Sequence, residues 1–321
     1  MIQKSRKISV LGVGNVGATI AYTLMLQGTA SEIVLVDVNK AKAEGEAIDL
    51  TQCAVCAPSC KVRCGEYEDV AGSDVIIVTF GVGRKPGQTR LDLAKINVGI
   101  LESVMPTVAK IAPDAIYVIV SNPVDVLTYA TIKCTGLPVN QVIGTGTLLD
   151  SNRLTEAVAS YCKVDAYAVN SYVLGEHGDA CMVPWSLCTI GGMPVENYCK
   201  DVMGVNAEEL EKEFADIYEG MVKSGSKVIA AKGATFYAIA ASTCKLVKAI
   251  FSNTDTLLPL STVLNGEYGA NDICMGVPCI VNASGFKKIV NLALTDKEKA
   301  LLQEKVDSLT ATFRTLGMEK K

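Results

Sequence analysis

Short apolar runs alternate with segments of helical spacing along the first 145 residues. Such runs are typical of strands buried in a parallel sheet, and apolar residues three or four positions apart are typical of the helices that cover it. The predicted strands are residues 7–11, 33–36, 61–63, 74–79, 115–120 and 142–144. The predicted helices are residues 18–27, 40–56, 91–112 and 124–133. This alternation predicts an α/β fold with a doubly wound parallel sheet, and a first domain of residues 1–145.

The pattern changes after residue 145, where long helices predominate. One helix is predicted to begin at Asp150, and helical spacing recurs over residues 206–223, 233–250 and 295–316. Strand-like runs occupy residues 258–263 and 279–281. The change predicts a second, mixed α+β domain of residues 146–321.

A glycine-rich turn joins the first predicted strand to the first helix. Residues 12–17 read Gly-Val-Gly-Asn-Val-Gly, and the second strand ends in Asp37, twenty residues after Gly17. Gly12 permits a tight turn, Gly14 admits a pyrophosphate to the backbone, and Gly17 allows close helix–sheet packing. An acid at Asp37 accepts hydrogen bonds from an adenosine ribose and repels a 2′-phosphate, which favours NAD over NADP. In this Rossmann pattern the predicted NAD-binding residues are Gly12, Gly14, Asn15, Val16, Gly17 and Asp37.

A second glycine-rich turn follows the predicted strand at residues 74–79. Gly81 lies there, at the carboxyl end of a strand, where open parallel sheets bind their cofactors. The cationic segment from Arg84 to Arg90 comes next and contains Pro86 and Gly87, a composition suited to a mobile lid. We therefore predict that Gly81 contacts the cofactor and that Arg90 reaches the reacting groups when the lid closes.

Composition and charge narrow the class of protein. The 321 residues are 49% hydrophobic and 20% charged, as in a globular enzyme, and the net charge is −4. An acidic chain has no basic field for a polyanion, so we expect no nucleic-acid partner. No apolar run approaches the roughly 18 residues that a membrane span needs, so we expect no membrane partner and a cytoplasmic location.

The twelve cysteines raise the question of a metal site. In a cytosolic protein they are expected to be reduced thiols that pack as small apolar residues. Four of them have a spacing that also occurs in metal sites: Cys53, Cys56, Cys60 and Cys64. Because this stretch is predicted to contain a helix end, a turn and a strand, we favour a structural role and predict no metal.

His177 is the only histidine, and it lies in the sequence Gly-Glu-His-Gly-Asp at residues 175–179. Histidine is the side chain whose unperturbed pKa, near ~6.5, suits proton exchange at neutral pH. The apolar run at residues 172–174 predicts a strand that opens into a loop here, a common position for catalytic groups. A general acid and base is one interpretation of His177, and a capping or core histidine is the other.

Hydride transfer between a nicotinamide and a 2-oxo acid needs a proton donor, a fixed cation for the carboxylate and a group that polarises the carbonyl. His177 suits the first role, and Asp150 would fix its tautomer by a hydrogen bond. Arg153 suits the second role because a guanidinium binds a carboxylate with two parallel hydrogen bonds. Arg90 on the lid suits the third role. Two alternatives stay open on these residues alone, since Asp150 also suits a helix cap and Arg153 an exposed helix face.

The order and spacing of several motifs resemble those of the NAD-dependent lactate/malate dehydrogenase family. The motifs are residues 12–17 with Asp37, 84–93, 121–125, 143–153, 175–179 and 232–235. The resemblance covers nearly the whole chain and implies NAD as cofactor, a small 2-oxo or 2-hydroxy acid as substrate, and a homo-oligomer, as dimer or tetramer. It also implies the roles given above for His177, Asp150, Arg153 and Arg90. It further places Asn122 near the nicotinamide and the substrate, and Thr235 in the substrate pocket.

Two branches of that family use different substrates, and this sequence has features of both. Arg84 occupies the position that the resemblance places against the variable end of the substrate, where malate dehydrogenases have arginine and lactate dehydrogenases usually have glutamine. Glu176, Trp185 and residues 232–235 instead resemble the bacterial L-lactate branch. We therefore predict an L-lactate dehydrogenase, with malate dehydrogenase as the alternative. A non-catalytic NAD-binding sensor is a further alternative, although it would need neither His177 nor the placed arginines.

The resemblance also indicates which residues would form an effector site. Many bacterial lactate dehydrogenases bind fructose bisphosphate through an arginine and a histidine, and the corresponding positions here are Thr155 and Asn170. Neither residue supplies a positive charge, so we predict activity that does not depend on this activator.

Overall fold

A computed structural model describes residues 6–83, 87–178 and 180–318. Its first half contains six strands: β1 (Lys7–Leu11), β2 (Glu32–Val36), β3 (Lys61–Cys64), β4 (Val75–Val78), β5 (Ile116–Ile119) and β6 (Val142–Gly144). They pair in parallel in the order β3-β2-β1-β4-β5-β6, in which Val10 faces Leu35 on one side and Ile77 on the other. All of β4 and β5 is buried, as the uninterrupted apolar runs predicted. The doubly wound parallel sheet expected from the sequence is confirmed.

Four helices cover this sheet: α1 (Asn15–Leu26), α2 (Lys40–Cys53), α3 (Arg90–Ile111) and α4 (Val124–Thr135). The predicted start of α1 at residue 18 was three residues late, because Gly14 already caps the helix with an extended backbone. Helix α3 begins with a capping box in which Thr89 accepts from the Asp92 N–H and the Asp92 carboxylate accepts from the Thr89 N–H. Helix α4 begins after Pro123, so its first turn follows the end of β5 closely.

The second half adds five helices and eight strands within the described residues. The helices are α5 (Leu148–Cys162), α6 (Val195–Asn197), α7 (Ala207–Lys232), α8 (Tyr237–Ser252) and α9 (Asp296–Thr315). The strands are β7 (Val169–Asn170), β8 (Leu174–Gly175), β9 (Cys181–Met182), β10 (Thr189–Ile190), β11 (Met193–Pro194), β12 (Thr256–Asn265), β13 (Asn271–Asn282) and β14 (Gly285–Ile289). Short 3₁₀ turns occupy Ala54–Cys56, Tyr67–Val70, Val139–Gln141, Ala166–Ala168, Trp185–Leu187 and Glu267–Gly269, and a π-turn occupies Tyr198–Val202.

One large sheet runs through both halves. The β12–β13 hairpin joins it antiparallel to β6 where Ser261 faces Gly144, and β13 carries β14 and β8. A small separate sheet has the order β11-β10-β7. The mixed α+β second half is confirmed, but the division at residue 145 stays a prediction, because the sheet is continuous across it.

Two buried apolar clusters hold the fold together. The first fills both sides of the large sheet, and the second lies between α5, α7 and the small sheet, around residues such as Leu154, Val173 and Met221. Trp185 stacks on Phe214 of α7 with ring centroids 4.0 Å apart, at the edge of the second cluster. Helix α7 continues nine residues past the predicted end at residue 223, to Lys232, and ends at Gly233, whose φ of +84° stops the helix.

Candidate active site

The first turn after β1 forms a cradle that only glycine permits. Gly12 has a φ of +92°, and a Cβ there would lie 2.5 Å from the Phe80 backbone nitrogen. A Cβ on Gly17 would overlap the carbonyl oxygen of Gly12, whereas nothing lies within 4 Å of a Cβ placed on Gly14. The turn is therefore closed at Gly12 and Gly17 and open at Gly14, ahead of the free N–H groups of α1. This geometry fits a pyrophosphate.

Asp37 lies beside the glycine turn at the end of β2. One carboxylate oxygen accepts from the Val13 N–H at 2.6 Å, and the other accepts from the Asn39 N–H at 2.8 Å. A carboxylate has about four lone-pair sites, so each oxygen can accept one more hydrogen bond. The half-buried side chain is thus fixed at the position where a ribose diol would bind.

Asn97 of α3 is a structural residue of the site that sequence analysis missed. Its buried side chain accepts from the Val82 N–H at 2.9 Å and donates to the Asn122 carbonyl at 2.7 Å. It therefore ties the loop that contains Gly81 to the loop that contains Asn122. The available signal was a lone amide on the apolar face of a predicted helix.

The side chains of His177 and Arg153 both lie in contact with that of Asp150. Nδ1 of His177 lies 2.6 Å from one oxygen of Asp150, and Nη1 of Arg153 donates to the other oxygen at 3.0 Å. Asp150 is in the first turn of α5, and Arg153 is one turn further along the same face. His177 lies in the loop between β8 and β9. The Asp150 side chain is 6% exposed, and those of Arg153 and His177 are 17% and 20% exposed, so the acid is more deeply buried than its two partners.

The electrostatics of this group favour a charged imidazole. Burial lowers the pKa of His177, but the charge and hydrogen bond of Asp150 outweigh it, so the pKa lies above its ordinary value of 6.5. For Asp150, burial raises the pKa, and the charges and hydrogen bonds of His177 and Arg153 together bring it below the ordinary range. The raised pKa favours the protonated form of His177, the form that a general acid requires.

The backbone of the β8–β9 loop is held by a second carboxylate, that of Asp125. The His177 N–H donates to the carboxylate of Asp125 at 2.9 Å, and the Ser261 hydroxyl donates to the other oxygen of Asp125 at 2.6 Å. Gly178 has a φ of +140°, and a Cβ there would lie 3.3 Å from Nη1 of Arg90. Arg90, the first residue of α3, is thus adjacent to the histidine loop.

Two of the three remaining predicted substrate residues lie within the described part of the structure. Asn122 is exposed at the carboxyl end of β5, directly before α4. Thr235 is half-buried in the link between α7 and α8. Arg84 lies outside the described residues.

The chain matches one family over both halves. Residues 6–144 match the lactate/malate dehydrogenase NAD-binding domain, and residues 147–318 match the lactate/malate dehydrogenase α/β C-terminal domain. The chain belongs to the lactate/malate dehydrogenase family. This confirms the resemblance, the NAD cofactor and the class of NAD-dependent dehydrogenase that the motifs indicated.

Individual relatives of the lactate/malate dehydrogenase family are similar over almost the whole chain. An L-lactate dehydrogenase of Clostridium botulinum strain Okra is 44% identical over 315 residues, 98% of each chain. An L-lactate dehydrogenase of Acetivibrio thermocellus is 40% identical with the same coverage. The crystal structure of the minor L-lactate dehydrogenase of Enterococcus mundtii in its ligand-bound form superposes with a TM-score of 0.93 at 41% identity, and covers 98% of this chain and 99% of its own.

The four closely spaced cysteines lie on different elements of the fold. Cys53 ends α2, Cys56 is exposed in the following turn, and Cys64 ends β3. Over residues 6–83, 87–178 and 180–318, no group of three or more His, Cys, Asp or Glu side chains is arranged to hold a metal ion. In the same ranges no helix is long and apolar enough to cross a bilayer.

Proposed function

We propose that this protein is an NAD-dependent L-lactate dehydrogenase that interconverts pyruvate and L-lactate. The observation that carries the proposal is the 2.6 Å contact between His177 Nδ1 and the buried Asp150, with Arg153 on the other oxygen of that carboxylate. The names of relatives 40–44% identical over 98% of the chain support L-lactate as the product. When bound, NAD supplies or accepts the hydride at its nicotinamide ring.

His177 is the general acid and base of this mechanism. In pyruvate reduction its Nε2 gives a proton to the carbonyl oxygen, and in lactate oxidation the neutral ring takes the proton from the hydroxyl. Asp150 stays ionised, holds Nδ1–H and stabilises the imidazolium. The raised pKa of His177 keeps the acid form available at neutral pH.

Two arginines bind and polarise the substrate. Arg153 donates one N–H to Asp150, and its remaining N–H groups bind the substrate carboxylate. Because Asp150 anchors both Arg153 and His177, the carboxylate and the carbonyl oxygen are held at a fixed separation. Arg90, next to Gly178, stabilises the negative charge that develops on the carbonyl oxygen. Asn122 and Thr235 complete the pocket, and the family resemblance assigns Arg84 to the variable end of the substrate.

The residues present fit NAD. Gly12, Gly14 and Gly17, with the α1 N-terminus that follows, would hold the pyrophosphate, and Asp37 would accept from the adenosine ribose. Asn15, Val16 and Gly81 would contact the cofactor through the loops that follow β1 and β4.

Turnover of pyruvate by wild type and by His177→Gln tests this function. Wild type should oxidise NADH with pyruvate, followed at 340 nm. In His177→Gln the turnover should fall by at least about a thousandfold while NADH affinity stays within about threefold, since only the proton-transfer group is lost. Asp114→Gln, at an exposed loop position, is the matched control and should behave as wild type. Turnover of His177→Gln within tenfold of wild type would remove the assigned role.

Malate dehydrogenase is the second candidate, and the observation that favours it is the arginine at position 84 of the sequence. A second carboxylate would pair with that cation, whereas the methyl group of pyruvate would not. A sensor without catalysis is disfavoured by the buried His177–Asp150–Arg153 arrangement, which a binding protein would not need.

We further propose a homo-oligomer that works in the cytoplasm. Helix α2 presents the 61% exposed Ile48 beside a groove of about 440 Å³ that also contains Ala47 and Val62, an apolar face that a second subunit would cover. All twelve cysteines are free thiols, which fits a reducing compartment. Light scattering during size-exclusion chromatography tests the oligomer, and a mass of one chain would contradict it.

A further inference from the structure

Asp125 is a buried acid whose role the proposed mechanism has not used. It is the second residue of α4, three positions after Asn122, and only 1% of its surface is exposed. An acid in the first turn of a helix is common, but it is usually solvated. Burying a carboxylate this deeply is costly unless its oxygens are hydrogen-bonded.

Both oxygens of Asp125 have partners, and the partners lie on different elements. One oxygen accepts from the backbone N–H of His177 in the β8–β9 loop, and the other accepts from the hydroxyl of Ser261 on β12. Ser261 is itself fixed, because it is fully buried and faces Gly144 of β6. The carboxylate therefore joins α4, the catalytic loop and the sheet at one point.

Resting on the proposed function, we propose that Asp125 is a positioning residue that holds the backbone of His177 in register with Asn122. Asp150 fixes the imidazole ring from the side-chain end, and Asp125 fixes the same residue from the main-chain end. The loop needs this second anchor because Gly175 and Gly178 on either side of His177 have positive φ angles, +100° and +140°, and little intrinsic stiffness. A catalytic group must be held within about 0.5 Å of its productive position.

The charge of Asp125 has a second consequence, for the proton on His177. Other groups that face this region are Asp150 and Arg153 of α5, Glu176 of the loop, Arg90 of α3 and the Cys274 thiol of β13. Burial raises the pKa of Cys274 well above its ordinary value, so that thiol stays neutral. Burial also raises the pKa of Asp125, to about 7, against the hydrogen bonds from Ser261 and His177 that lower it. Above that pH Asp125 is negative, and its charge helps to keep His177 protonated.

Two substitutions separate the anchor from the charge. Asp125→Ala removes both hydrogen bonds, and we expect kcat for pyruvate to fall by about a hundredfold, with NADH affinity unchanged within about threefold. Asp125→Asn keeps the shape: its oxygen accepts from the His177 N–H, and its NH₂ donates to the Ser261 oxygen. The kcat of Asp125→Asn should be at least about tenfold higher than that of Asp125→Ala. Because the charge is gone, the alkaline limb of its pH profile should lie about half a pH unit below that of wild type.

Thr128→Val is the matched control on the same helix. Thr128 is fully buried, and its hydroxyl donates to the Val124 carbonyl within α4, so its loss perturbs the helix without touching His177. It should keep wild-type kcat and the wild-type pH profile at a comparable melting temperature. A similar kcat loss in Thr128→Val and Asp125→Ala would show a general effect of α4 and overturn the inference.

The outcomes for the function and for the inference are distinct. Wild type without pyruvate or oxaloacetate turnover would overturn the proposed function, and the inference with it. An active wild type with Asp125→Ala within threefold of its kcat would overturn the inference alone. If Asp125→Ala does not fold, Ser261→Ala, which removes one of the two hydrogen bonds of Asp125, decides instead: a kcat at least about fivefold below wild type with unchanged NADH affinity would support the inference, and wild-type kcat would overturn it.

Discussion

Replacing Asp150 by asparagine tests the centre of the site with almost no change of shape. In wild type one oxygen of Asp150 faces His177 Nδ1 and the other accepts from Arg153 Nη1. An amide has one oxygen, so its NH₂ must point either at a guanidinium that can only donate or at an imidazolium N–H. Asp150→Asn therefore loses a charge and gains a donor–donor contact.

The size of the expected kcat loss in Asp150→Asn follows from the burial and charge of the pair. Removing one partner of a buried charge pair costs about 3–5 kcal/mol, and the 20% exposure of the His177 side chain favours the lower end. At 1.36 kcal/mol per factor of ten, about 3 kcal/mol corresponds to roughly a hundredfold lower kcat. The sign of the pH effect is also fixed. Asp150 is what raises the pKa of His177 against burial, so without it the pKa falls. Pyruvate reduction, which needs the protonated ring, is then lost at a lower pH.

The assay is NADH oxidation at 340 nm with saturating pyruvate over about pH 5 to 9, for wild type, Asp150→Asn and the exposed control Asp114→Asn. NADH binding by fluorescence, run in parallel, reports whether the cofactor site is intact. We expect a hundredfold loss, a downward shift of the alkaline limb, and unchanged NADH binding for Asp150→Asn alone. A loss below tenfold with an unmoved alkaline limb would refute the assignment of Asp150 as the partner that charges His177.

The remaining predictions concern cofactor choice, substrate choice and regulation. Asp37→Ala should raise KM for NADH and relax discrimination against NADPH, because the acid that would repel a 2′-phosphate is removed; kinetics with both cofactors check this, and an unmoved preference would contradict the ribose role. Arg84→Gln should raise the ratio of pyruvate to oxaloacetate efficiencies by at least roughly tenfold, about 1.4 kcal/mol, since a bidentate contact to a second carboxylate is lost. An unchanged ratio would mean that Arg84 does not meet the substrate. Fructose 1,6-bisphosphate should not activate, because Thr155 is neutral and its hydroxyl is paired with that of Ser171 at 2.8 Å, and Asn170 is neutral too; saturable activation in a titration would contradict this.

Most of the parallel half could be predicted from the sequence because its physics is local. Uninterrupted β-branched runs specify strands buried on both faces. Gly17 is required by a contact with Gly12 in the same turn, whereas the close contact at Gly12 is with Phe80 and has no local signature. The five two-residue strands from β7 to β11 carry no such period. They form by pairing with distant segments: β8 pairs with β13 and β9 with β8 in the large sheet, while β7, β10 and β11 pair in the small sheet. Such tertiary stabilisation has no signature in a short window of sequence.

The candidate site likewise contains residues that the sequence could identify and residues that it could not. Residue chemistry identified His177, Asp150 and Arg153, and the last two could be placed on one helix face from their three-residue spacing. That His177 meets them depends on where β8 enters the sheet, which spacing does not reveal. Asn97 and Asp125 were missed as structural members for a related reason. Each is a polar residue inside a predicted helix, and its role is visible only in contacts with loops 25 and 52 residues away.

The most direct test of the account is the ratio of catalytic efficiencies, kcat/KM, for pyruvate and oxaloacetate, measured with NADH on the wild-type protein at one pH and ionic strength. The account predicts turnover of both acids, with a ratio above one in favour of pyruvate. A ratio of about 0.1 or less would contradict the assignment as an L-lactate dehydrogenase and establish the malate activity that Arg84 favours.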